Sequence, residues 1–270
     1  MSGNTPLMDG KRGLIMGVAN DHSIAWGIAR ALYAQGAELA FTYQGEAFGK
    51  RVRPLADSVG AVATLPCDVD SAEDLDTVVE TLSAAWGRID FVVHAIAYSD
   101  KEELKGRYLD TSRSNFAKTL AISCYSFTAV AQRVAPLMTQ GGSLVTLTYL
   151  GARRVTPNYN VMGVAKAALE ASVRYLAVDM GPDGIRVNAL SAGPMRTLAG
   201  SAIADARFVF GWSKQHAPLK RSLLLDEVGS AGLYLLSDLS IGVTGEVHYV
   251  DAGYNVIGIP SPARLNDGLD

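Results

Sequence analysis

GLIMGVANDHSIAWGIA, residues 13–29, decides the fold. The apolar run GLIMGV (13–18) enters a turn without alternating, and Ile24, Ile28, Ala31 and Leu32 then recur as one stripe of a helix. A continuous apolar run suits a strand covered on both faces, as in a parallel sheet. Strand, glycine turn and helix start, in that order, also make an anion site. Backbone amides point outward, the helix dipole favours negative charge, and glycine permits close approach. Gly17 opens this turn. Ser23 stands where it can cap the helix and offer a hydroxyl to an anion, with Ile24 following it. Gly27 is expected to let the helix pack closely on the sheet. Only Gly17 and Gly27 are glycines here, so the spacing is not G-x-G-x-x-G, and a serine-capped turn without a ligand is the plain alternative.

Outward from this stretch the same rhythm repeats. Further apolar runs are AELAFTY (37–43), AVATLPCDV (61–69), IDFVVHAIA (89–97), SLVTLTYL (143–150), IRVNALSA (185–192) and EVHYVDAG (246–253). Amphipathic segments lie between them; from about Ala72 to Trp86, Leu75, Val78, Val79 and Leu82 share one face. Alternating strands and helices predict a doubly wound, Rossmann-like α/β domain with a parallel sheet of about seven strands. No linker, repeat or low-complexity tract divides residues 1–270, which read as a single domain. One segment breaks the rhythm. Residues 194–225 are too long for a simple connection, and such segments are often lids or binding loops.

Composition narrows the function. The 270 residues are 49% hydrophobic and 19% charged, which excludes an intrinsically disordered chain. Twenty-four basic against 27 acidic residues give a net charge of −3, unlike a dedicated nucleic-acid binder. The two cysteines, Cys67 and Cys124, form no CxxC pair and no metal-like cluster, so they read as reduced core thiols and no metal is expected. Neither a signal-peptide run nor a stretch of ~18 apolar residues is present, so no membrane partner and a cytoplasmic location are the expectation.

In a doubly wound sheet the first βα turn holds a dinucleotide pyrophosphate. Gln44 ends the second apolar run, where such folds read the adenosine ribose, and Asp68-Val69 ends the third, where a carboxylate can accept from an adenine amino group. The plain reading of Asp68 is a cap for the helix that follows. A neutral Gln44 selects neither a 2′-hydroxyl nor a 2′-phosphate strongly. Later in the chain Tyr149 ends the fifth run, and PNYNVMGVAKAALEASVRYLA (157–177) reads as a turn and a long helix. Tyr159 and Lys166 are seven residues apart, about two turns and ~10 Å along one helix face. Such a lysine can clamp a ribose diol while the phenol donates to a substrate oxygen gaining charge.

These residues resemble the short-chain dehydrogenase/reductase superfamily and, within it, the bacterial enoyl-[acyl-carrier-protein] reductases of fatty-acid synthesis. The resemblance covers almost the whole chain. It rests on GVANDHSIAWGIA (17–29), the Y-x9-Y-x6-K set Tyr149/Tyr159/Lys166, GPDGIRVNALSAGPMRTLA (181–199) and TGEVHYVDAGYN (244–255). The general superfamily pattern is Y-x3-K after a serine; here Gly163 follows Tyr159 by four, and Tyr149 takes the serine's place.

The resemblance implies hydride transfer from NADH, with NADPH not excluded, to the β-carbon of a trans-2-enoyl thioester. Tyr159 would stabilise the enolate oxygen, Lys166 would hold the nicotinamide ribose, and Tyr149 would line the thioester site. Cofactor contacts would fall on Gly17, Ser23, Ile24, Gln44, Asp68, Val69, Ile96, Lys166, Met195, Arg196, Thr197, Leu198 and Ala199. Substrate contacts would include Ser99, Met162 and Ile203, with 194–225 as a helical lid. The resemblance also implies a homotetramer and an acyl carrier protein docked by basic residues. Of the family's basic residues Arg207 is kept, with Lys214, Lys220 and Arg221 as further candidates. Ala97 and Ala206 stand where a glycine and an aromatic residue are frequent. The remaining alternatives are a sibling reductase acting on a carbonyl, and a non-catalytic NAD-binding sensor.

Overall fold

The computed structural model describes residues 5–201 and 205–259. Among them seven strands form one sheet: β1 (Arg12–Met16), β2 (Glu38–Tyr43), β3 (Ala63–Pro66), β4 (Phe91–His94), β5 (Gly142–Thr148), β6 (Ile185–Ala192) and β7 (Val247–Val250). Their order is β3-β2-β1-β4-β5-β6-β7, and every neighbouring pair is parallel. This is the Rossmann-like sheet expected. The strands alternate their side chains between two cores. Leu14 and Met16 of β1, Val92 of β4, and Val187 and Ala189 of β6 enter one; Ile15, Phe91, Val93 and Leu190 enter the other. Each such buried aliphatic or aromatic side chain contributes about 1.5–3 kcal/mol relative to exposure. Burial on both faces is why the runs are continuous rather than alternating.

The first core is covered by α3 (Ala72–Trp86), α5 (Ser126–Val134) and α6 (Asn160–Met180). The second is covered by α1 (Ile24–Tyr33), α2 (Gly45–Ser58) and α9 (Leu225–Leu236). Gly27 acts differently from the expectation. A Cβ there would lie 2.6 Å from Leu225 Cγ, and one at Gly229 would lie 2.6 Å from the Gly27 carbonyl oxygen. The glycine therefore admits a neighbouring helix, α9, rather than the sheet.

Strands stop sooner than the apolar runs. Cys67–Val69, Ala95–Ala97 and Tyr149 lie just past β3, β4 and β5, so these run ends become loops at the carboxyl edge. The strand order reverses between β1 and β4, which opens a crevice at that edge. Between β6 and α9 the chain carries α7 (Leu198–Ser201) and α8 (Ala206–His216). A helix α4 (Arg113–Leu120) runs through a π-helical turn, Ala121–Tyr125, into α5. No helix among the described residues is long and apolar enough to cross a membrane.

Candidate active site

The crevice begins at Gly17, whose φ of +96° favours glycine. A Cβ there would meet the Ala95 carbonyl oxygen at 2.1 Å, so the β1 and β4 exits approach backbone to backbone. Ser23 holds the N-cap position of α1 with extended backbone, but makes no side-chain cap bond. Its buried Oγ instead accepts from the amides of Ala19 (3.0 Å) and Asn20 (3.1 Å). Ser23 thus shapes the turn from within, correcting the capping role, and the first amides of α1 are left without a side-chain partner. Ile24 anchors the start of that helix in the core.

At the ends of β2 and β3, Gln44 Nε2 donates to Asp68 Oδ2 at 3.1 Å. The cap of α3 is Ser71, whose side chain accepts from the Asp74 amide, so Asp68 does not cap that helix. Val69 and Ile96 pack against the core beside these loops. Past β6, Met195 packs inward, while Arg196 and Leu198 are exposed. Thr197 Oγ1 accepts from the Gly200 amide at 2.9 Å. Ala199 falls in α7, and Ile203 lies outside the described residues.

At the far end of the crevice Tyr159 and Lys166 are both buried. Tyr159 occupies the N-cap of α6 between Asn158 (φ +58°) and Asn160 (φ +32°), conformations that asparagine tolerates better than most residues. Asn160 Nδ2 donates to the carbonyls of Leu104 and Gly106, fixing this entry. The Tyr159 ring packs edge-on against Tyr149, with centroids 5.1 Å apart at 74°. Lys166 Nζ donates to the Leu147 carbonyl at 2.8 Å. Both residues therefore converge on the end of β5. Met162 packs in the apolar cluster around Tyr159, with Leu104 and Val161 buried and Phe116, Leu120 and Tyr149 partly buried.

Burial sets the electrostatics. It pushes the Tyr159 phenol well above its ordinary range, with Tyr149 and Glu170 adding to the rise. It pushes Lys166 down to about 8. Burial also raises Tyr149, against a hydrogen bond with Thr156. Beneath the site His94 is fully buried and is pushed down to about 3, first by burial and then by Lys166, so it is neutral. Its Nε2 meets Ser126 Oγ, which itself donates to the Ile122 carbonyl of the π turn.

Ser99 is buried, and its hydroxyl is already engaged by Asn115 and Thr119 of α4. The neighbouring Tyr98 is held through its amide and its carbonyl by the one hydroxyl of Ser123. Sequence reasoning did not single out Ser123, Asn158, Asn160 or His94; the paired asparagines around Tyr159 carried a turn signal, whereas a π turn leaves none. No group of three or more His, Cys, Asp or Glu among the described residues is placed to hold a metal ion.

The family model described as enoyl-(acyl carrier protein) reductase matches residues 17–255. The chain belongs to the enoyl-[acyl-carrier-protein] reductase family. It is 65% identical over 259 residues to the Rhizobium meliloti protein named enoyl-[acyl-carrier-protein] reductase [NADH] 2, covering 96% of this chain and 97% of the relative. It is 54% identical to the Rickettsia bellii protein named enoyl-[acyl-carrier-protein] reductase [NADH] FabI, covering 94% and 97%. Among solved structures, the enoyl-(acyl-carrier-protein) reductase from Anaplasma phagocytophilum in complex with NAD superposes with a TM-score of 0.91. That match has 60% identity and covers 94% of this chain and 97% of the other.

In this reductase-family chain the segment between β6 and α9 carries fewer available cations than the sequence suggests. Arg207 and Lys214 are exposed on α8. Arg221 is paired with Glu227 at 2.6 Å, and Lys220 Nζ lies on the carbonyls of Gln215 and His216. Arg221 is therefore a compensated charge rather than part of an open basic patch.

Proposed function

We infer that the chain is an NADH-dependent enoyl-[acyl-carrier-protein] reductase acting in fatty-acid synthesis. The observation that carries the reading is the set of buried Tyr159 and Lys166 with partly buried Tyr149, gathered at the end of β5 beside the crevice of a Rossmann-like sheet. The residues present fit a nicotinamide dinucleotide. Lys166 is a buried ammonium with three donors and one hydrogen bond, to Leu147, among the described residues, which leaves donors for a ribose diol. At the other end the Gly17 turn and the uncapped start of α1 suit a pyrophosphate. Gln44 and Asp68 would receive the adenosine. The Asp68 carboxylate beside Gln44 disfavours a 2′-phosphate, and of the three cations of α2, Lys50, Arg51 and Arg53, the last is tied to Glu46 and Tyr43. Val69, Ile96 and the 195–199 stretch would complete the cleft.

When bound, the reduced nicotinamide supplies a hydride to the β-carbon of the enoyl thioester. Tyr159, kept as a neutral phenol by burial, then donates to the oxygen that gains negative charge as the enolate forms. Lys166 orients the ribose and adds positive potential nearby. Tyr149 and Met162 wall the acyl site and exclude water from it. Protonation at the α-carbon completes the saturated acyl chain.

The same reading takes an acyl carrier protein as the substrate's bearer, met first by Arg207 and Lys214, and a cytoplasmic homotetramer as the working form. Tyr175, Val178 and Ile259 are largely exposed and would be covered by neighbouring subunits. The test is direct. Purified protein with NADH and crotonyl-CoA should lose absorbance at the nicotinamide band, and should not do so with a 3-ketoacyl thioester. Turnover of the ketoacyl compound alone, or tight NADH binding without turnover, would overturn the reading.

A further inference from the structure

Glu170 is a carboxylate only 4% exposed, on α6 one turn beyond Lys166. A buried carboxylate is tolerated only where partners compensate its lost hydration. Glu170 has two. Thr148 Oγ1 donates to Oε1 at 3.0 Å, and Arg153 Nε donates to Oε2 at 2.9 Å. Thr148 directly precedes Tyr149, and Arg153 follows the short 3-10 turn Leu150–Ala152. One side chain thus grips both ends of a six-residue segment that carries the partly buried Tyr149.

That segment also bears on Tyr159. A Cβ at Gly151 would lie 2.4 Å from Tyr159 Cδ1, and one at Gly163 would lie 2.8 Å from the Gly151 carbonyl oxygen. The segment, the phenol and the first turns of α6 are in close contact, so a small movement of one displaces the others. The outer side of the grip is held as well: the half-exposed Arg153 guanidinium lies over the Tyr249 ring of β7, 5.9 Å from its centroid.

We propose that Glu170 is a positioning residue for the tyrosine pair, acting through Thr148 and Arg153 to fix the segment that carries Tyr149 against Tyr159. The inference rests on the reductase reading above and adds to it residues that touch neither substrate nor cofactor. Displacements of about 1 Å at a reacting centre lower rates by up to ~10²-fold, so loosening one of two anchors should cost about tenfold.

The experiment compares Arg153→Ala, Glu170→Gln and the double variant with the wild type, reading kcat, KM for crotonyl-CoA, NADH dissociation constant and Tm. Each single variant should lower kcat about tenfold while NADH affinity stays within about twofold. The double variant should be no worse than the weaker single within about twofold, because both changes cut the same tie. If Glu170→Gln does not fold, Arg153→Ala with Arg153→Lys decides: lysine should recover most of the lost kcat. A folded single variant with wild-type kcat, losses that multiply in the double, or an equal fall in NADH affinity would overturn the proposal. Failure of the wild type itself to reduce crotonyl-CoA would instead count against the functional reading.

Discussion

The two ends of the crevice are built on opposite principles. The Gly17–Ser23 turn and the Gln44–Asp68 pair use backbone amides and partly exposed polar groups joined by ordinary hydrogen bonds. The Tyr149–Tyr159–Lys166 end uses buried and partly buried side chains whose proton affinities are displaced by burial. The first end presents backbone amides of the kind that suit an anion, with the Asp21–His22 pair exposed beside them. The second has a phenol held neutral and an ammonium brought close to losing its proton, in a setting where water screens neither. On the proposed reading the first end serves binding alone while the second joins binding, through Lys166, to chemistry, through Tyr159, and substitutions should separate these roles.

The largest expected effect on cofactor binding is at Lys166. Lys166→Met should weaken NADH binding by about 10–100-fold, measured by fluorescence titration, while raising Tm. The sign follows from the lowered pKa. The folded state releases the proton near 8 and the unfolded chain near the ordinary lysine value of 10.5, so the unfolded state binds more protons between them. Stability therefore rises with pH across that window. Below it the buried ammonium is destabilising by roughly 3 kcal/mol, which methionine would remove. By the same shift, kcat/KM for NADH should fall as pH rises through about 8, when Lys166 loses its charge. His94, held neutral, should add no inflection near neutral pH.

A smaller effect is expected at the recognition end. Asp68→Asn should raise the use of NADPH relative to NADH about fivefold without changing kcat, since it removes one negative charge from the adenosine side. An unchanged cofactor ratio would show that Asp68 does not face the ribose. The smallest effect lies outside the crevice altogether. Arg207→Glu should raise KM for a carrier-bound substrate about threefold and leave crotonyl-CoA kinetics alone, and Arg221→Glu should do less because Glu227 already compensates that charge.

Legibility in the sequence follows the same division. β6 has the bounds of its apolar run and α3 those of its amphipathic segment, because strand burial and helix periodicity are local properties, whereas the cap of α3 is Ser71 and not Asp68. The edge of the sheet is legible in outline: Asp68, Ile96 and Tyr149, at the ends of their apolar runs, fall in the loops that begin at Cys67, Ala95 and Tyr149. α2 was harder to read, since Pro54 sits inside it and only Gly49, Val52 and Ala56 are buried. The direction in which a glycine or hydroxyl faces is a tertiary fact. Gly27 meets α9, Ser23 turns back on its own loop, and the Ser99 hydroxyl is held by α4, none of which periodicity encodes. The grip of Glu170 on Thr148 and Arg153 joins residues far apart in sequence and became visible only with the fold.

The central claim is that a neutral, buried Tyr159 stabilises the charge that develops on the thioester oxygen. Single-turnover stopped-flow measurement of NADH-loaded protein mixed with crotonyl-CoA, comparing wild type with Tyr159→Phe, tests it most directly. The reduction rate should fall about 10²–10³-fold with NADH affinity unchanged. Reduction by Tyr159→Phe at the wild-type rate would contradict it.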